Sequence, residues 1–226
     1  MDNTKKISTT LQEFRQASLT STGRDKNPTL RYYEDHAEEF TAATIDADME
    51  DIRRRFLAHL SAGARILDFG CGTGRDTKAF RELAYEVTAL DGSESLCRIA
   101  GDYAGVPVRC MDFREYFPAQ DEYYDGIWAC ASLLHLKKKE LLPVMHTLGR
   151  ALTVGGVLYV SFKYGNYEGD RNGRHFTDFT AEGFQEYLTM LPEFKLVEYW
   201  VTGDVRPGRR DERWLNTILE RTKIHM

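Results

Sequence analysis

The stretch 64–75, Ala-Arg-Ile-Leu-Asp-Phe-Gly-Cys-Gly-Thr-Gly-Arg, limits what this chain can fold into more than any other. Ile66, Leu67 and Phe69 suit a buried strand, and Gly70, Gly72 and Gly74 follow at alternate positions before a helix-forming segment begins at Arg75. Without Cβ atoms the loop can turn sharply, and a ligand can approach its backbone while the first amides of the helix point at that ligand. Roughly twenty residues on, a second apolar run, Val87 to Leu90, ends in Asp91, where nucleotide-binding α/β folds place a carboxylate on ribose hydroxyls. Strand, glycine loop, helix, strand and terminal carboxylate together point to a nucleoside-type ligand.

The glycine spacing then discriminates between ligands. A dinucleotide fingerprint, G-x-G-x-x-G, needs glycine where this chain has Arg75, and no G-K-[ST] follows for a nucleoside triphosphate. Asp68-Phe-Gly-Cys-Gly-Thr-Gly74 with Asp91 resembles the class I S-adenosylmethionine-dependent methyltransferases, and the resemblance runs from about Tyr33 to Thr222. It implies a doubly wound, mostly parallel seven-stranded sheet with an antiparallel edge hairpin, covered at the cofactor cleft by N-terminal helices. Gly70 and Gly72 would let the backbone meet the amino-acid part of the donor, and Arg75 or nearby amides would receive its carboxylate, with Asp68 and Cys71 of the same motif also at the cofactor. Asp91, Gly92 and Ser93 would flank the ribose; Met111, Asp112 and Phe113 the adenine; Cys130 and Ala131 would pass under the methionine part.

With 226 residues, 42% of them hydrophobic, the chain suffices for one α/β domain. A formal charge of −5 argues against nonspecific attraction to nucleic acid and favours a small-molecule acceptor. Cys71, Cys97, Cys110 and Cys130 form no C-x-x-C pair and fall in or beside apolar segments, as free thiols in a reducing compartment would; the expected location is cytoplasmic. Neither a signal-peptide core near Met1 nor a bilayer-length apolar run is present, and no His/Cys spacing suggests a metal. The expected division is a polar, partly disordered segment 1–26, with a weak capping box at Thr10 and Glu13, then a single domain 27–226 made of a helical cap (27–62) and a core (64–226).

Along the chain, Asn27-Pro28 predicts a helix start, with Leu30, Tyr33, Ala37 and Phe40 on one face. A second helix is expected over Ala47–Leu60, with Arg53, Arg54 and Arg55 on a solvated face. Helices over Arg75–Ala84 and Ser93–Tyr103 alternate with strands ending at Phe69, Asp91 and Met111, the pattern of a parallel sheet whose crevice opens at the strand carboxyl ends. Strands over Tyr124–Ala131 and Val157–Phe162 follow, the latter after a glycine turn, and the last two strands return on one another. Residues 163–179, with Gly165, Gly169 and Gly173, read as a long loop: either an acceptor-side lid whose Arg171, Arg174 and Glu168 hold a polar or anionic substrate, or an ordinary solvated loop.

Tyr33 is either core packing or, by the resemblance, an aromatic lying over the donor; Asp112 is either an acceptor for the adenine amine or a cap. Direct methyl transfer needs in-line positioning, and a base only for a protonated acceptor; His135 and His175 are the candidate bases, with Arg174 beside them. Two readings compete with a methyltransferase: a nucleoside-binding module without chemistry, and an NAD-dependent oxidoreductase.

Overall fold

A computed structural model of the protein describes residues 27–120, 123–206, 208–209 and 211–223. The segment expected to be polar and partly disordered, 1–26, lies outside them. Asn27 caps the first helix, α1 (Pro28–Asp35), by accepting from Thr29 N–H, with Pro28 at the position where its missing N–H costs nothing. The helix does not run through to Phe40: His36 leaves helical geometry (φ −121°), and α2 (Ala37–Thr44) restarts after it. The next helix, α3, is Glu50–Leu57, shorter at both ends than the expected 47–60.

Strand and helix then alternate through β1 (Arg65–Phe69), α4 (Arg75–Glu82), β2 (Glu86–Asp91), α5 (Glu94–Ala104), a three-residue β3 (Val108–Cys110) and β4 (Tyr124–Ala129). After α6 (Lys138–Ala151), β5 (Leu152–Lys163) pairs with β4, and residues 153–156 loop out at its start, with Gly155 at φ +83°. Residues 163–179 contain an antiparallel hairpin, β6 (Glu168–Arg171) and β7 (Arg174–Thr177), rather than the expected plain loop. Thr180 caps α7 (Ala181–Leu188), and β8 (Phe194–Gly203) and β9 (Arg213–Arg221) complete the chain.

The main sheet has the order β3-β2-β1-β4-β5-β9-β8, parallel except where β9 runs against both β5 and β8. The strand order reverses between β1 and β4, so a crevice opens above their carboxyl ends, where an open α/β sheet binds its ligand. One face is filled by the α6 and α7 side, with Phe162, Phe179 and Phe184 in mutual ring contact. On the other, Phe56 from α3 and Phe80 from α4 close on Trp128, which stacks on Tyr159 at 4.0 Å between centroids.

Two sequence expectations are corrected here. Arg53 is not on a solvated face: its side chain is 17% exposed and it donates to Asp76 at 2.7 Å, because α3 packs across the start of α4. Cys110 is exposed, on the short edge strand, whereas Cys71 and Cys97 are buried; all four cysteines are free thiols.

Candidate active site

The crevice is a cavity of about 500 Å³ bounded by the β1–α4 glycine loop, the ends of β2 and β4, helix α1 and the β6–β7 hairpin. Its floor is set by close approach. A Cβ on Gly70 (φ +90°) would stand 2.4 Å from Ser132 Cβ, and one on Gly74 (φ +80°) 3.0 Å from the Ala100 backbone of α5. Only glycine permits both the left-handed backbone and these contacts. Ser132 locks the arrangement by donating to the Phe69 carbonyl at 2.7 Å.

Asp91 ends β2 with its carboxylate buried and lining the cavity; Oδ2 accepts from Gly72 N–H (2.9 Å) and Oδ1 from Ser93 N–H (3.0 Å). Burial pushes its pKa up, while these amides pull it back. One carboxylate thus ties the glycine loop to the start of α5. Asp68, also buried, accepts from Thr77 Oγ1 at 2.6 Å, and burial together with the neighbouring Asp76 pushes its pKa up to about 8. Asp76 goes the other way: burial works against its charge, but Arg75 and Arg53 outweigh that and hold it below the usual carboxylate range. Trp128 Nε1–H adds a third donor to it at 3.0 Å.

The roof comes from α1 and the hairpin, and the two are stitched together. His175 N–H donates to Thr29 Oγ1 (2.9 Å), and Arg174 donates to the Tyr33 hydroxyl (3.3 Å). His135, in the 3₁₀ turn Leu133–His135, has Nδ1 2.7 Å from the His175 carbonyl and Nε2 2.8 Å from the Tyr33 hydroxyl. A carbonyl only accepts, so Nδ1 bears the hydrogen and Nε2 offers its lone pair to Tyr33 O–H. Burial holds the imidazole neutral, lowering its pKa to about 4, and raises that of Tyr33. At its other end α1 is docked by Glu34, which accepts from Ser93 Oγ and Ser95 Oγ at 2.8 and 2.7 Å.

The profile of a family described as "Methyltransferase domain" matches residues 66–156, which hold the glycine loop, Asp91 and β4. An uncharacterized methyltransferase of Staphylococcus carnosus is 26% identical over 168 residues, 68% of this chain and 80% of that protein. Phosphoethanolamine N-methyltransferase 3 of Arabidopsis thaliana is 26% identical over 70% of this chain, which spans only 35% of that longer protein. In fold, the chain superimposes with a TM-score of 0.67 on 1,6-didemethyltoxoflavin-N1-methyltransferase of Burkholderia thailandensis, solved with S-adenosylhomocysteine, at 22% identity over 86% of this chain and 85% of that one. Residues 66–156 carry a methyltransferase domain, and the fold built around it is that of the S-adenosylmethionine-dependent methyltransferases.

The methyltransferase's own residues fit S-adenosylmethionine. Gly70 and Gly74 let the loop turn against Ser132 and α5, and a buried carboxylate faces the same space. Of the residues expected at the donor, Tyr33, Asp68, Gly70, Cys71, Gly72, Arg75, Asp91, Gly92, Asp112, Phe113, Cys130 and Ala131 all line the cavity. Met111 and Ser93 do not: Met111 packs on the main core, and the Ser93 hydroxyl is engaged in capping α5 and in donating to Glu34. Arg75 is present but committed, bound to Asp76 through Nη2 at 2.6 Å and to the Thr44 carbonyl. Asp112 caps the turn Phe113–Glu115 and is gripped by Arg114 at 2.6 Å, which is the cap role, yet it still borders the cavity.

On the acceptor side Arg174 and His135 reach the cavity, and His175 does not. In the hairpin successive side chains face opposite ways, so Arg174 and Phe176 point inward while the His175 ring turns to Asp170 (3.0 Å); only its backbone serves the site. Phe40 and Leu30, which the sequence places on one helical face with Tyr33, also line the cavity. The ring of Phe40 lies 3.3 Å from where a Gly72 Cβ would be, and Leu30 covers Gly92.

Proposed function

We propose that the cavity transfers a methyl group from S-adenosylmethionine to a protic nucleophile, a hydroxyl or an amine, of a small-molecule acceptor. One observation carries this reading: the space above the glycine loop and Asp91 continues, without leaving the same cavity, to a Tyr33 hydroxyl hydrogen-bonded to a neutral imidazole. When bound, the donor supplies an electrophilic methyl on a sulfonium sulfur. Asp91 would accept from its ribose hydroxyls, the backbone of Gly70 and Gly72 would meet its amino-acid portion, and Phe113 with Asp112 would flank its adenine. One lone pair on the Asp112 carboxylate remains beyond the three Arg114 contacts.

The chain's part in the chemistry is positioning and proton handling. As the methyl bonds to the acceptor atom and makes its proton strongly acidic, that proton passes to Tyr33 Oη while the Tyr33 proton passes to His135 Nε2, a weak base that suffices for an acid of that strength. The resulting imidazolium keeps its Nδ1–H on the His175 carbonyl, and Arg174 N–H stabilises charge building on the phenol oxygen. The Tyr33 and Phe40 rings, edge to face at 5.1 Å, help close the site to water. Calorimetry with S-adenosylmethionine, S-adenosylhomocysteine and NADH tests the donor: binding of NADH alone would defeat the proposal. With an acceptor in hand, Tyr33→Phe should keep donor affinity and lose turnover by roughly 100-fold or more, the scale of a lost general-base step. Undiminished turnover would remove Tyr33 from the proton path.

A further inference from the structure

The far end of the cavity is rich in cations, and most of them touch a carboxylate within the protein. Arg171 binds both oxygens of Asp178 (2.5 and 2.6 Å), Arg206 binds Asp204 (2.5 Å), and Lys163 and Arg209 share Glu212. Arg213 is exposed over the Tyr164 ring and has no carboxylate partner among the described residues. Arg174 differs from them all. Among the described residues it makes no ion pair, although it is half-buried and lines the cavity. Its guanidinium lies 4.3 Å from the Tyr32 ring centroid, 5.2 Å from that of Phe176 and 5.6 Å from that of Tyr33. Among the described residues its hydrogen bond goes to the Tyr33 hydroxyl, and its Nε, like that of the carboxylate-bound Arg171, is a buried donor with no partner.

Aromatic faces offset only part of what a guanidinium loses on leaving water, and an unpaired buried donor is costly. A fixed fork of N–H groups, walled by three rings and open on the cavity side, is the geometry that grips a planar or tetrahedral oxyanion. Resting on the methyltransferase reading of this cavity, we infer that the acceptor is anionic: it bears a carboxylate or a phosphate-type group that pairs with Arg174, close to the hydroxyl or amine presented to Tyr33. Arg174 then has two roles, anchoring the acceptor and polarising the Tyr33 oxygen.

The test uses the full chain saturated with S-adenosylhomocysteine, so that no anion can occupy the donor site. Four anions, acetate, benzoate, methylphosphonate and phenylphosphonate, are titrated by calorimetry or NMR up to roughly 10 mM, where a millimolar Kd still registers. Their uncharged methyl esters are titrated in parallel. The expected result is binding of at least one anion and none of the esters, with affinity falling as salt rises and falling at least tenfold in Arg174→Gln. A preference for carboxylates or for phosphonates names the source of the oxyanion. Esters binding as well as anions, no anion binding, or anion affinity unchanged in a folded Arg174→Gln would overturn the inference. If that variant does not fold, the comparison of anions with esters on the unaltered chain decides. Failure of S-adenosylhomocysteine to bind at the outset would defeat the methyltransferase reading instead, so the two failures are distinguishable.

Discussion

His135 gives the fold a defined sensitivity to acid. Buried against Phe176 and beside Arg174, its imidazole has its pKa lowered to about 4 from the usual 6.5. An unfolded chain binds a proton at this side chain below pH 6.5, whereas the folded chain refuses it until about pH 4. The stability due to neutral His135 is therefore whole above pH 6.5 and is lost as pH falls toward and through 4. Each tenfold weakening of proton binding on folding is worth about 1.4 kcal/mol, so the full contribution is about 3 kcal/mol. Weighting by the protonated fractions, roughly 2 kcal/mol of it is gone between pH 7 and pH 5. Replacement by Gln keeps a donor and an acceptor but removes the titration. His135→Gln should be less stable than the parent at pH 7, for its looser bonds to Tyr33 and His175, and that gap should close by about 2 kcal/mol at pH 5. Urea unfolding at pH 7, 6 and 5, with the slopes compared to confirm a common denatured state, measures it. A gap that stays constant across the three pH values would mean that His135 is not held neutral by its surroundings, and the proton path drawn through Nε2 would lose its basis.

Asp91→Ala should weaken S-adenosylhomocysteine binding by roughly 1–3 kcal/mol and also lower the melting temperature, because Gly72 and Ser93 N–H groups lose their acceptor; calorimetry beside thermal melts separates the two, and an intact affinity would refute the ribose role. Gly70→Ala should cost roughly 2–4 kcal/mol, the sum of overpacking against Ser132 and left-handed backbone strain, whereas Gly155→Ala, with nothing within 4 Å, should cost only about 1 kcal/mol. Equal losses in those two variants would show that close approach is not what selects glycine in the loop. Arg53→Ala leaves Asp76 one guanidinium short while the carboxylate stays buried; the expected loss is roughly 3 kcal/mol by urea unfolding, against near zero for Arg54→Ala, whose partner Asp51 is exposed.

The βαβ unit around the glycine loop was legible because its signals are local. An apolar strand, alternate glycines and a strand-terminal Asp91 lie within one βαβ unit, so spacing along the chain is spacing in the fold. Asn27-Pro28 was legible for the same reason, since a cap and the helix it starts are adjacent. Arg53 was not, because which way it faces depends on α3 crossing α4, and nothing near Arg53 in sequence records that crossing. The β6–β7 hairpin is an instructive miss. Asn172-Gly173 has φ +51° and +77°, the two-residue turn that joins tight hairpins, and the pair is plainly visible in the sequence. The flanking residues are charged rather than alternately apolar, so the segment read as a loop, and the two-residue period that turns His175 outward and Arg174 inward was missed with it. The acceptor end is hard to read for a general reason: Tyr33, His135 and Arg174 come from three separate stretches and meet only when the roof is assembled.

That roof has a kinetic consequence. Helix α1 is pinned to the base of α5 through Glu34 and to the hairpin through Thr29 and Tyr33. Swinging α1 aside to uncover the glycine loop must either sever its bonds to the hairpin or drag the hairpin along, and both routes dismantle the place where the second reactant sits. The expected kinetics of the proposed methyl transfer are therefore ordered, donor first and spent donor last, and product inhibition by S-adenosylhomocysteine that is competitive with the donor alone would bear that out.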